Sequence, residues 1–142
     1  MLNDYSSIEK EIDEAPEPIT LPKGSEVKAR IIAVRTGVSD KNDATWYSPV
    51  FDVPKEPLAK EFNDFFWDLA DRNKLDGGVE GKQSLAAIRK FRNFAQAFGI
   101  DYSRPFSWED GLIGLEGWIV LGVRTSDEYG AQNVVSKYLA KK

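Results

Sequence analysis

A mainly β domain, with five strands closing into a small barrel and one main helix between strands three and four, is predicted by three observations. Residues 26 to 35, EVKARIIAVR, set apolar and charged side chains in period-two alternation. Residues 82 to 98 place Leu85, Ile88, Phe91, Ala95 and Phe98 at helical spacing, with Gly99 just beyond as a stop. Residues 117 to 125 and 133 to 139 flank the turn Ser126-Asp127-Glu128-Tyr129-Gly130 and read as a closing hairpin.

The elements follow in order. Residues 1 to 20 form an acidic leader with too little apolar content to offset its ordering, so a flexible segment is expected, with a short helix over Ser7 to Glu14. Pro16, Pro18, Pro22 and Gly24 mark its boundary with the folded body, residues 21 to 142. In the first strand Val27, Ala29, Ile31 and Ala33 share one face, while Lys28 and Arg30 point the other way. The polar turn Ser39 to Asp43 leads into a second strand, Thr45 to Val53. There Tyr47, Phe51 and Val53 lie on one side and Trp46 and Val50 on the other. Pro49 lacks an N–H donor, which predicts an edge or a bulge, and an edge here would let the strand pair with a second copy as a homodimer. Residues 60 to 69 fit helix and strand spacing alike; the aromatic content and the preceding prolines favour a third strand. Residues 71 to 81 are a polar link to the helix.

Composition removes many functions. A chain of 142 residues forms one domain able to bury roughly 68 to 70% of its unfolded surface. With no Cys and no His, thiolate metal sites, disulfides, imidazole bases and histidine ligands are excluded. No run of about 20 apolar residues crosses a membrane, and the acidic start differs from a signal peptide, so a cytoplasmic protein is expected. The net charge is −4, yet residues 1 to 18 hold six carboxylates against Lys10 alone, which leaves the remainder at +1. Lys82, Arg89, Lys90 and Arg92 gather in the helix, either as a local basic field or as its solvated outer face.

Trp46-Tyr47, following the turn and near Arg30, Arg35 and Lys41 in sequence, is the mixture of rings and cations that a single-stranded nucleic-acid groove uses. The other reading of hairpin aromatics is cross-strand packing. Three strands, a helix and a hairpin is the arrangement of the OB-fold, whose second and third strands and adjacent loops commonly grip oligonucleotides.

Five segments carry a resemblance: Leu21-Pro22-Lys23-Gly24, residues 46 to 53 (WYSPVFDV), residues 94 to 100 (FAQAFGI), Leu115-Glu116-Gly117-Trp118 and residues 128 to 135 (EYGAQNVV). Over about residues 22 to 139 the chain resembles phage-encoded OB-fold single-stranded DNA-binding proteins of replication and recombination modules. The resemblance implies a barrel that coats single strands with little sequence preference in a bacterial host cell, as an accessory to a polymerase, recombinase or nuclease. It implies no cofactor and no catalysis. Carried over by position, the binding residues are Lys28, Arg30, Arg35, Lys41, Trp46, Tyr47, Arg124, Tyr129, Lys137 and Tyr138. Trp118, among Ile119, Val120 and Leu121, is expected in the core; Trp67 and Trp108 are left undecided. Many single-strand binders end in an acidic tip, whereas here the acidic segment is the leader, and the last residues are Lys141-Lys142. The leader is expected to recruit replication partners, to shield the basic groove or simply to aid solubility.

Two alternatives stay open. Glu61, Asp64, Asp68 and Asp71 on one helical face would gather Mg²⁺ for phosphodiester cleavage. A protein-interaction module would use the leader and exposed aromatics to capture a host or replication enzyme. Gly77 to Gln83 lacks the spacing and final hydroxyl of a phosphate loop.

Overall fold

The computed structural model describes residues 1 to 140; the Lys141-Lys142 end lies outside the described residues. Among them, one antiparallel sheet of six strands carries the fold: β1 (Glu26–Val38), β2 (Thr45–Asp52), β3 (Phe62–Asn63), β4 (Phe66–Trp67), β5 (Glu116–Ser126) and β6 (Gly130–Tyr138). Neighbours run β3-β2-β1-β5-β6, and β4 also pairs with β2. In the leader a 3₁₀ turn over Ser6–Ile8 runs into a short helix, α1 (Glu9–Asp13), and the main helix is α2 (Lys82–Phe98). No helix among the described residues is long and apolar enough to cross a membrane.

The expected closed barrel is an open sheet. No backbone ladder joins β3 to β6; instead the Tyr138 hydroxyl crosses the gap to Asp64, whose carboxylate also accepts from Lys90 of α2 at 2.7 Å. The expected third strand is two short ones, and Pro49 explains the split. Its carbonyl accepts from the Asp64 amide at 3.2 Å, but it has no N–H to return, so pairing breaks between Val50↔Asn63 and Tyr47↔Phe66. β2 is therefore an interior strand, flanked by β1 and by β3 and β4, and it offers no edge to a second copy.

The helix has the expected bounds and ends on Gly99, whose φ of 70° lets its N–H turn back to the Ala95 carbonyl. Its apolar stripe differs from the expectation. Leu85 and Ile88 are exposed, and burial falls on Ser84, Phe91, Phe94, Ala95, Ala97 and Phe98. Gly117 is the reason the helix end sits so close to β5: a Cβ there would lie 2.7 Å from the Ala97 carbonyl and 2.8 Å from the Phe98 ring.

The core is largely aromatic. Ala29, Ile31, Phe51, Ile119 and Leu121 from the sheet are fully buried against Phe94. Trp108, from the loop after α2, lies parallel between Tyr47 (4.9 Å, 4°) and Phe94 (5.8 Å, 4°). Phe66, Phe94 and Phe98 surround the Tyr138 ring. Each fully buried ring of this kind contributes about 1.5–3 kcal/mol by leaving water.

Backbone pairing with the folded body begins at Ile19, two residues before the expected boundary. Ile19 donates to the Leu58 carbonyl and accepts from Lys60, both at 2.8 Å. Leu21 has no strand partner, and the buried Asn133 side chain takes that role. Its Oδ1 accepts from the Leu21 amide at 2.8 Å, and its Nδ2 donates to the carbonyls of Leu21 and Gly122 at 2.9 and 3.1 Å.

Asn133→Leu strands the Leu21 amide and carbonyl without partners, so chemical denaturation is expected to register a loss of about 2–4 kcal/mol. Tyr138→Phe removes a hydrogen bond to a charged acceptor and is expected to cost about 1–2 kcal/mol. Burial first, and then the Asp64 carboxylate, raise the Tyr138 phenol well above the ordinary value near 10. The folded chain thus keeps a proton that the unfolded chain loses. This contribution is complete below about pH 10 and declines as pH rises above it. Denaturation midpoints above pH 10 are expected to fall faster for the natural chain than for Tyr138→Phe.

Candidate nucleic-acid interface

Strand register sorts the candidate residues by face, because directly paired residues share a side of the sheet. Arg30↔Asp52, Ala33↔Val50, Arg35↔Ser48 and Gly37↔Trp46 lie on one side, and the bulge between Ile31 and Ala33 keeps them there. Trp46↔Trp67 extends this side to β4; Lys28↔Trp118 and Arg30↔Glu116 extend it to β5. Val120↔Lys137 and Arg124↔Gln132 carry it to β6. The opposite side holds Ala29, Ile31, Phe51 and Ile119, all fully buried. The first side is therefore the outward one, with Ser48 and Val50 buried in its middle.

Of the ten expected residues, Lys28, Arg30, Arg35, Trp46, Arg124 and Lys137 meet on this outward face. Two lie in hairpin turns. Lys41 is exposed between β1 and β2, and Tyr129, 63% exposed, stands between β5 and β6. Tyr47 and Tyr138 are corrections. Both rings point inward, Tyr47 onto Trp108 and Tyr138 among Phe66, Phe94 and Phe98, because period-two alternation sends neighbours to opposite sides and α2 covers the inner one. Burial foremost, then the nearby Asp68, Glu109 and Asp71 carboxylates, raise the Tyr47 phenol pKa.

Two rings join the face that the sequence reading did not assign to it. Trp118, expected in the core, is 42% exposed opposite Lys28. Counting alternation from Glu116 would have placed it outward, since Gly117, Ile119 and Leu121 are the buried set. Trp67, left undecided, pairs with Trp46 and meets Phe65 edge-on at 4.8 Å. Trp108 belongs to the core.

Trp46 lies over Gly37 on the neighbouring strand. A Cβ on Gly37 would come within 2.5 Å of the indole, so only glycine leaves the ring this position, where it also tilts against Phe65 at 5.7 Å. The electrostatics of the face are mixed. Arg30 is held by Asp52 through two hydrogen bonds of 3.1 and 2.6 Å, and this pairing raises its pKa further. Lys28 stands 4.0 Å from Glu116. Arg35, Arg124 and Lys137 are in no ion pair among the described residues, so they are the cations ready for an external anion.

The carboxylates considered for Mg²⁺ do not share a helical face. Asp64 receives Lys90 and Tyr138, Asp68 caps the 3₁₀ turn Leu69–Lys74 by accepting from Ala70, and Asp71 accepts from the Thr45 amide at 2.8 Å. That amide bond holds the Asp71 carboxyl below its ordinary range. Among the described residues no group of three or more carboxylates is placed to hold a metal ion.

No family model matches the chain, and the comparison with curated proteins yields no match.

Gly37→Ala is expected to lift the Trp46 indole off β1. In a two-dimensional NMR spectrum the Trp46 indole N–H should move while that of Trp108, packed on the other side of the sheet, stays in place. An unchanged Trp46 signal contradicts this account of the ring's position.

Proposed function

We propose that this chain binds single-stranded DNA along the outward face of its sheet, with little sequence preference and without catalysis. One observation carries the reading: strand register gathers Trp46, Trp67 and Trp118 with Lys28, Arg30 and Arg35 on one side of β4, β2, β1 and β5. Flat rings take any base, and cations spaced between them follow the phosphates. The strand order, the helix between β4 and β5, and the Tyr138–Asp64 bridge across the open seam support an OB-like barrel as the scaffold. With the resemblance to phage single-strand binders, the reading extends to an accessory role in replication or recombination.

The carboxylates on the face limit its affinity. Asp52 and Glu116 compete with phosphate for Arg30 and Lys28, so binding engages Arg35 first and draws the other two cations from their partners.

Fluorescence titration of a labelled single-stranded oligonucleotide against salt tests the proposal. Trp46→Ala is expected to weaken binding by about tenfold or more, the loss of one stacked base. Arg35→Ala is expected to reduce the slope of log affinity against log salt by about 0.7, one phosphate contact on a single strand. Glu116→Gln is expected to tighten binding about two- to threefold at low salt, since it frees Lys28. Absence of binding at low salt overturns the reading and leaves a protein-interaction module as the better account.

A further inference from the structure

We propose that the acidic leader of a second copy of this chain docks on α2, placing Tyr5, Ile8 and Ile12 against an apolar cavity beside the helix. The cavity, about 440 Å³, is lined by Leu69, Ile88, Phe91, Tyr102, Phe106 and Trp108, together with Arg92 and Asp68. Four of these six apolar linings are rings, and Ile88, Tyr102 and Phe106 are 40, 53 and 38% exposed. This open apolar surface beside a guanidinium, with the Asp68 carboxylate engaged by the Ala70 amide, suits an amphipathic segment with a negative polar side.

The leader has that pattern. Tyr5, Ile8 and Ile12 are its exposed apolar side chains at i, i+3 and i+7, with Ile8 at the junction where the 3₁₀ turn Ser6–Ile8 gives way to α1. Asp4, Glu9, Glu11, Asp13, Glu14 and Glu17 surround them, against Lys10 alone. The helix is its electrostatic complement: α2 carries Lys82, Arg89, Lys90 and Arg92 and no carboxylate. Of those four only Lys90 is in an ion pair among the described residues, while the Arg92 guanidinium reaches no further than the Asn93 side chain.

The match is between molecules. Within one chain both halves stand open: Tyr5, Ile8 and Ile12 are 60, 42 and 52% exposed while Ile88, Tyr102 and Phe106 of the cavity face solvent. A reciprocal exchange, in which each copy inserts its leader into the other, satisfies both cavities and closes as a dimer. The surface shares no residue with the outward sheet face, so the proposal is independent of DNA binding.

Sedimentation velocity on the full chain, over a concentration series at low and high salt, tests it. A dimer that grows with concentration and recedes with salt is expected. Ile8→Asp/Ile12→Asp in the leader and Ile88→Asp/Arg92→Glu on α2 are each expected to weaken association about tenfold or more. An equimolar mixture of the two variants is expected to associate more tightly than either variant alone and less tightly than the natural chain, because the mixed dimer restores one of the two leader–cavity contacts. Arg92→Glu alone, a change to an exposed side chain, replaces the second variant if the double substitution unfolds. A monomer at every concentration, association indifferent to both variants, or a mixture that associates no more tightly than either variant alone each overturns the proposal.

Discussion

The parallel placement of Trp108 between Tyr47 and Phe94 is the contact on which the rest of the structure depends. It joins β2, α2 and the loop after the helix in one stack, and so it fixes which side of the sheet is covered. Once the inner side is filled by rings, alternation turns the other side of β1, β2, β4 and β5 outward, although Ser48 and Val50 on that side are themselves buried. The three outward tryptophans are a consequence of where the helix lies. In this sense the interface and the core are one decision: the strand that sends Tyr47 inward cannot avoid sending Trp46 out.

A second constraint is the missing N–H of Pro49. It splits the strand opposite β2 at Asp64 and Phe65, which frees the Asp64 side chain to serve as the junction between Tyr138 of β6 and Lys90 of α2. The open seam is held there by a hydroxyl, an ammonium and a carboxylate instead of a backbone ladder. Such a junction depends on protonation and on geometry more than a ladder does. It concentrates the cost of closing the sheet in a few side chains.

The charge distribution follows a similar division of labour. On the sheet, cations and carboxylates sit side by side, and Arg30 and Lys28 are held by Asp52 and Glu116. On α2, cations stand without carboxylates of their own, and the opposite charge is stored in the leader. A net charge of −4 hides both facts, since it adds a strongly acidic segment to a nearly neutral body.

By itself the sequence determined the local elements: the bounds of α2, the alternation of β1 as far as Ile31 and the closing hairpin are set by spacing and stop residues that act within a few residues, whereas the bulge after Ile31 that carries Ala33 to the other face was not legible. The sequence even separated Tyr47 from Trp46, because a period of two is a local property. Which side became the inside was decided only by the tertiary structure. Leu85 illustrates why. It stands at the helical spacing of Ile88 and Phe91, yet it lies outward because the core meets the neighbouring face of α2. Burial depends on contacts between residues distant in the chain, and no window along the sequence contains that information.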